Sequence, residues 1–133
     1  GADAIIMSAA VADFRPAAES EAQLKKGASS EALSTISLVE NPDVLATIVG
    51  RRKAGELPAE TVITGFAAET GDADGTPLEH ATRKLARKGC DLLMCNDVPA
   101  GNLDADGTVT DVPQGSKYAV AADILDAVAK RLR

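Results

Sequence analysis

The stretch TVITGFAAETGDADGTPLEHATRKLARKGCDLLMC, residues 61–95, decides the fold. TVITGF at 61–66 and DLLMC at 91–95 are short continuous apolar runs, the pattern of strands covered on both faces. Between them Pro77 to Lys88 places Leu78, Ala81 and Leu85 on one side of a helix that stops at Gly89. Strand, helix, strand in that order makes a parallel pair joined by a right-handed crossover.

The flanking sequence keeps the same rhythm. DAIIMS at 3–8 reads as a third strand. Asn41 to about Lys53 reads as a helix with Asn41 as N-cap, Pro42 at its first position, Gly55 just past its end, and Val44, Leu45, Ile48 and Val49 on one face. A last helix runs from about Lys117 to Leu132, capped by Ser116, with Ala119, Ala122, Ile124, Leu125, Val128 and Leu132 as its apolar positions. Two stretches fall outside the pattern: the polar segment Ala17 to Leu38, and Pro99 to Gly115, where DGTVTDVPQG suggests a short hairpin. The expectation is an α/β fold, a Rossmann-like three-layer sandwich with a mainly parallel sheet, in a single domain over 1–133. Neither GxGxxG nor GxxxxGK[ST] occurs, so the usual phosphate-cradling first turn is missing and the chain reads as the second half of a domain.

Composition agrees. The 133 residues suffice for one core; hydrophobic content is 45% with one Tyr, two Phe and no Trp, so Ala, Val, Leu and Ile must build it. A net charge of -6 and a pI near 4.7 argue against nonspecific binding to nucleic acid or to an anionic membrane. No apolar run approaches a membrane span and the start has no signal-peptide order, which leads us to expect a cytoplasmic protein. Cys90 and Cys95, five apart on one expected strand, should point to opposite faces and act as structural thiols. With His80 as the one histidine, expected to face solvent, neither a zinc site nor a Ser/His or Cys/His catalytic pair is supported.

In parallel α/β sheets ligands bind at the carboxyl ends of the strands. Those ends are Ala9 to Phe14, Phe66 to Thr70 and Asn96 to Asp97. Ala-rich backbone there suits close approach to a flat ligand, although alanine packed under a helix explains it equally well. Asp13 has the chemistry to orient a ribose hydroxyl or hold a metal, and equally that of a turn residue ahead of Pro16. Phe66 is a stacking surface or core. Asn41-Pro42-Asp43 is a helix start that also presents N–H groups to a polar ligand. Arg83 with Arg87, and Lys84 with Lys88, are like charges one turn apart, a repulsion a polyanion would relieve; the alternative is cations suited to a helix end, with Glu79 as partner to Arg83. Lys25-Lys26-Gly27 is a phosphate lid or a solvated loop cluster.

Taken in order, SAAVADFRP (8–16), LKKG (24–27), VENPDVLA (39–46), GFAAET (65–70) and RKLARKGCDLLMCNDV (83–98) resemble phosphopantothenoylcysteine synthetase, the CTP-dependent ligase of coenzyme A biosynthesis, which in many bacteria is the C-terminal half of a bifunctional flavoprotein. The resemblance implies ligation of 4'-phosphopantothenate to cysteine: the carboxylate attacks the α-phosphate of CTP, pyrophosphate leaves, and the cysteine amine displaces CMP from the acyl-cytidylate. It assigns nucleotide contacts to Ala9, Ala10, Asp13, Pro42, Asp43, Val44 and Leu45, a place beside the cytosine to Phe66, and further contacts to Lys84 and Lys88. It implies Mg²⁺ on the triphosphate, with Asp13 as candidate ligand, a homodimer, and FMN only in a fused or partnered decarboxylase half.

The chain departs from that family in three places. The flap Lys-x-Lys-Lys reads Gln23-Leu24-Lys25-Lys26, so an amide replaces the first lysine and Lys25 or Lys26 becomes the candidate substitute. Between Ala100 and Asp104 the sequence is short of an inserted loop and strand. The N-terminal portion that handles phosphopantothenate has no counterpart, so this chain is expected to bind CTP without completing the ligation. The rival readings are a noncatalytic nucleotide-binding or dimerisation module, and a Rossmann-like reductase domain.

Overall fold

The computed structural model describes residues 1–9, 11–18, 35–67, 73–95, 101–112 and 115–132. Two compact units emerge, Gly1–Ala10 with Val44–Arg133, and Val11–Asp43. The larger unit contains β1 (Ala4–Ile6), α1 (Val44–Lys53), β4 (Val62–Ala67), α2 (Pro77–Lys88), β5 (Leu92–Cys95), β6 (Gly101–Asp104), β7 (Val109–Asp111) and α3 (Lys117–Arg131). The smaller one contains β2 (Phe14–Pro16) and β3 (Leu38–Glu40), paired antiparallel with Phe14 opposite Glu40.

The main sheet has the order β1-β4-β5-β6-β7. β1, β4 and β5 are parallel, with Ile6 opposite Thr64 and Ala67 opposite Cys95. The expected hairpin, β6 and β7, extends the sheet antiparallel from β5. Alternation along the strands sorts side chains between two faces. Ile63, Ala67, Leu93 and Leu103 pack with Val49 of α1 and with Ala81 and Leu85 of α2. On the other face Val62 and Leu92 meet Val128, and Met94 meets Ile124, both from α3. Helices thus cover both faces of a mixed sheet with a parallel centre, the expected three-layer α/β arrangement.

α2 shows how local sequence fixes an element. Thr76 is its N-cap, Pro77 follows, and Glu79 returns to the Thr76 N–H at 2.7 Å while Glu79 N–H donates to Thr76 Oγ1, a capping box. The hydrogen bonds from Thr76, backbone first, hold the exposed Glu79 carboxyl below its ordinary pKa. Gly89 ends the helix at φ 72°, a conformation that an L side chain resists, while its N–H donates to Leu85. Ser116 caps α3 as expected, accepting from Ala119 N–H.

Several expectations need correction. α1 begins at Val44, not near Pro42, because the Asn41 amide is engaged elsewhere: it donates to Ala12 O at 2.7 Å and accepts from Arg15 at 2.9 Å. Leu78, Leu125 and Leu132 are exposed, since the buried stripes of α2 and α3 are narrower than their apolar positions suggest. Cys90 and Cys95 do not face opposite sides. Cys90 lies before β5, so strand alternation does not govern it, and both thiols join the α1/α2 face. Burial pushes the Cys90 thiol above its ordinary pKa, opposed by hydrogen bonds to the backbone of Cys90 and Gly65, which suits an inert structural thiol.

Thr64 is fully buried on β4 and its hydroxyl has no hydrogen-bond partner. An unpaired buried hydroxyl costs about 1–3 kcal/mol, and valine has the same branched shape. Thr64→Val should therefore raise stability by about 1 kcal/mol. Chemical denaturation giving a lower midpoint than the parent would refute this.

Candidate functional site

The parallel register brings three strand ends to one rim of the larger unit: Met7 to Ala9 after β1, Ala67 at the end of β4 and Cys95 at the end of β5. Met7 N–H donates to Thr64 O at 3.0 Å, which carries the pairing one residue beyond β1 and delivers Ser8 and Ala9 to the surface. α1 runs back against the strands. Its first turn lies over Gly65 near the carboxyl end of β4, and its last turn reaches Thr61 O through Arg52. Val44, 40% exposed, and Leu45, half-buried against the core, therefore stand at the rim level. Gly65 makes this possible, since a Cβ there would lie 2.6 Å from Leu45 Cδ2.

Phe66 is half-buried against the Met94, Val112 and Ile124 cluster, on the sheet face opposite α2. Lys84 and Lys88 are half-buried along α2. That helix starts from the rim at Pro77 and ends at Gly89, whose carbonyl accepts from Arg52 at 3.4 Å near the amino ends of β4 and β5. At about 1.5 Å per residue Lys84 lies roughly 10 Å and Lys88 roughly 16 Å along the axis from Pro77. Helical side chains lean toward the N-terminus, which favours Lys84 and leaves Lys88 at the far end.

His80, Arg83, Lys84 and Arg87 line a concavity of about 350 Å³ on α2. His80 is half-buried and does not simply face solvent: its Nδ1 accepts from Arg83 Nη2 at 2.9 Å. Arg83 also donates to Asp74 O at 3.3 Å, and Glu79, its expected partner, is turned to the capping box.

In the smaller unit Asp13 is exposed and its carbonyl accepts from Asn41 N–H at 2.8 Å. Arg15 donates to Glu40 O and to Asn41 Oδ1, so the side chains of Arg15 and Asn41 lock the two short strands. Pro42 and Asp43 follow, both exposed. The Arg15–Asn41 lock was missed because an asparagine ahead of Pro reads first as a cap. Ala10, Gln23, Lys25, Lys26 and the Asn96-Asp97 rim lie outside the described residues. Among the described residues no three of His, Cys, Asp and Glu converge to hold a metal ion. No helix among them is long and apolar enough to cross a membrane.

Comparison with known proteins puts a family on this geometry. The family described as the DNA/pantothenate metabolism flavoprotein C-terminal domain matches residues 1–132. The coenzyme A biosynthesis bifunctional protein CoaBC of Mycobacterium bovis is 49% identical over 138 residues, covering 96% of this chain and 32% of the relative. The protein of the same name from Mycolicibacterium smegmatis is 48% identical over 143 residues, covering 99% and 34%. The Bacillus subtilis protein is 32% identical over 139 residues, covering 96% and 31%. The chain thus spans about a third of the length of these relatives. Among solved structures, a Cab2 mutant in complex with phosphopantothenate-cysteine superposes with a TM-score of 0.51 at 20% identity, covering 74% of this chain and 32% of that one, a likeness of fold. Family match, identity and fold agree: the chain belongs to the DNA/pantothenate metabolism flavoprotein C-terminal domain family.

Proposed function

We propose that this chain is the nucleotide-binding part of a CTP-dependent ligase that joins 4'-phosphopantothenate to cysteine in coenzyme A biosynthesis. The observation that carries the reading is the 49% identity to a coenzyme A biosynthesis bifunctional protein across 96% of the chain. In this reading the exposed backbone of Ala9 and the first turn of α1, with Val44 and Leu45, receive the nucleotide at the sheet rim. Phe66 contributes from beside the base. Exposed N–H groups at a helix start suit an anionic or polar ligand. Catalysis is then positioning and charge stabilisation around the triphosphate, whose charge a bound Mg²⁺ would help neutralise. Other parts of the full-length protein bind phosphopantothenate, and FMN belongs to the decarboxylase half.

Calorimetric titration with CTP tests the reading. The chain should bind CTP in preference to ATP or NADH, and should release no pyrophosphate from CTP and cysteine without the rest of the enzyme. Lys84→Ala should weaken CTP binding by about tenfold, the effect of one lost charge-assisted hydrogen bond, and Lys88→Ala by less. Equal preference for all three ligands would reject the CTP reading, and a larger loss at Lys88 would reject the placement of the triphosphate.

A further inference from the structure

The nucleotide reading uses Lys84 and Lys88 of α2 and leaves Arg83, Arg87 and His80 without a role. Residues 80, 83, 84 and 87 follow the i, i+3, i+4, i+7 spacing of one helical stripe, and all four line the 350 Å³ concavity. We propose that this stripe is a polyphosphate-binding face, with Arg83 and Arg87 as phosphate contacts in addition to Lys84. The proposal takes the identity of the phosphate-bearing substrate from the ligase reading, but the anion chemistry rests on the stripe itself.

Four observations carry it. First, the chain has a net charge of -6, yet this stripe sets three cations within little more than one turn. Neighbouring like charges at these spacings repel, and a polyanion is the partner that turns the repulsion into attraction. Second, the helix dipole does not account for the stripe. Cations are favoured in the last turn, which explains Arg87 but not Arg83 or Lys84.

Third, Glu79 acts on Arg83 only through space: its Oε2 accepts from the Thr76 N–H at 2.7 Å and the Thr76 hydroxyl at 3.1 Å, so the guanidinium's own hydrogen bonds go to Asp74 O and His80 and not to a carboxylate. Fourth, Arg83 is oriented. Its Nη2 donates to Asp74 O and to His80 Nδ1, which aims the remaining N–H edge of the guanidinium away from both. Gly75 leaves room for this, since a Cβ there would come within 3.0 Å of Arg83 Nη2. A guanidinium only donates, so His80 Nδ1 is an acceptor and Nε2 carries the ring proton, which makes the imidazole a further donor. Preoriented arginine forks beside a lysine are the chemistry that recognises linked phosphate oxygens.

Calorimetry at low ionic strength tests this with three probes: inorganic pyrophosphate, CTP and 4'-phosphopantothenate. Arg83→Gln with Arg87→Gln should weaken pyrophosphate binding at least tenfold, with circular dichroism showing an intact fold. Arg51→Glu, the same net change of two charge units at an exposed position on α1, should leave affinity within twofold. If the double variant unfolds, Arg87→Gln alone should still weaken binding severalfold. Equal losses at Arg51 and at the stripe, or no pyrophosphate binding by the parent, would overturn the proposal. Parallel loss of CTP affinity assigns the face to the triphosphate, and parallel loss of 4'-phosphopantothenate affinity assigns it to the monoester; either supports a phosphate site. CTP binding that the variants leave unchanged, together with unchanged pyrophosphate binding, defeats the stripe and leaves the ligase reading standing.

Discussion

Arg52→Ala should lower the unfolding free energy by about 3 kcal/mol, the largest effect expected of any charged residue among those described, and the melting temperature by roughly 10 °C. Arg52 sits in the last turn of α1 and reaches across the amino ends of the strands. Nη1 donates to Thr61 O at 2.6 Å and Asp91 Oδ2 at 2.5 Å, and Nη2 to Gly89 O at 3.4 Å. Asp91 in turn accepts from Ile63 N–H at 2.7 Å through the same oxygen. One cation therefore ties α1, the start of β4, the cap of α2 and the start of β5. The two side chains are only 15% and 22% exposed, so removing the guanidinium leaves a carboxylate short of solvent and short of donors.

Most of the cost should be that stranded charge and not the lost packing. Arg52→Met, which keeps the aliphatic stem, should be about as damaging as alanine. Adding Asp91→Asn to it should recover part of the loss, because the neutral amide still accepts from Ile63 N–H. Equilibrium denaturation decides the matter: a loss under about 1 kcal/mol, or a double variant weaker than Arg52→Met, would show that the pair is a surface contact of little weight.

The sequence made the parallel centre legible because its signals are local. TVITGF and DLLMC are unbroken apolar runs, and the helix between them is marked by Pro77 at its start and Gly89 at its end. The Thr76-x-x-Glu79 capping box went unread although it is a spacing within one turn, because Glu79 also stands four residues before Arg83 and was paired with it. The Arg52–Asp91 pair was not legible, because the partners are 39 residues apart and no periodicity links them. The β2–β3 ribbon escaped for a different reason: its strands are three residues each and exposed throughout, so there is no buried face to pattern. Of the site, the strand ends followed from the topology, and the roles of individual residues came from the family resemblance. Phe66 and Lys88 illustrate what neither supplied: strand alternation sends the first to the face opposite α2, and helix length carries the second away from the rim.

Gly65→Val should cost about 3 kcal/mol, at the upper end of the usual penalty for overpacking, and should disturb the rim as well as the core. A Cβ at this position would lie 2.6 Å from Leu45 Cδ2, 3.3 Å from Leu93 Cδ1 and 3.6 Å from Cys90 Sγ. Leu93 is fully buried and has nowhere to go, whereas Leu45 is half-buried at the start of α1 and can move outward. The strain should therefore be relieved by pushing the first turn of α1 off the sheet, where the proposed nucleotide surface begins. A double-mutant cycle separates this from a general loss of β-sheet packing. Leu45→Ala alone should destabilise by about 2 kcal/mol through lost burial, but in the Gly65→Val background it removes the clash and should cost little or even restore stability. The coupling should be at least about 1 kcal/mol in the favourable direction. Additive losses would mean that the valine is accommodated elsewhere, and that Gly65 is not what allows α1 to approach the rim.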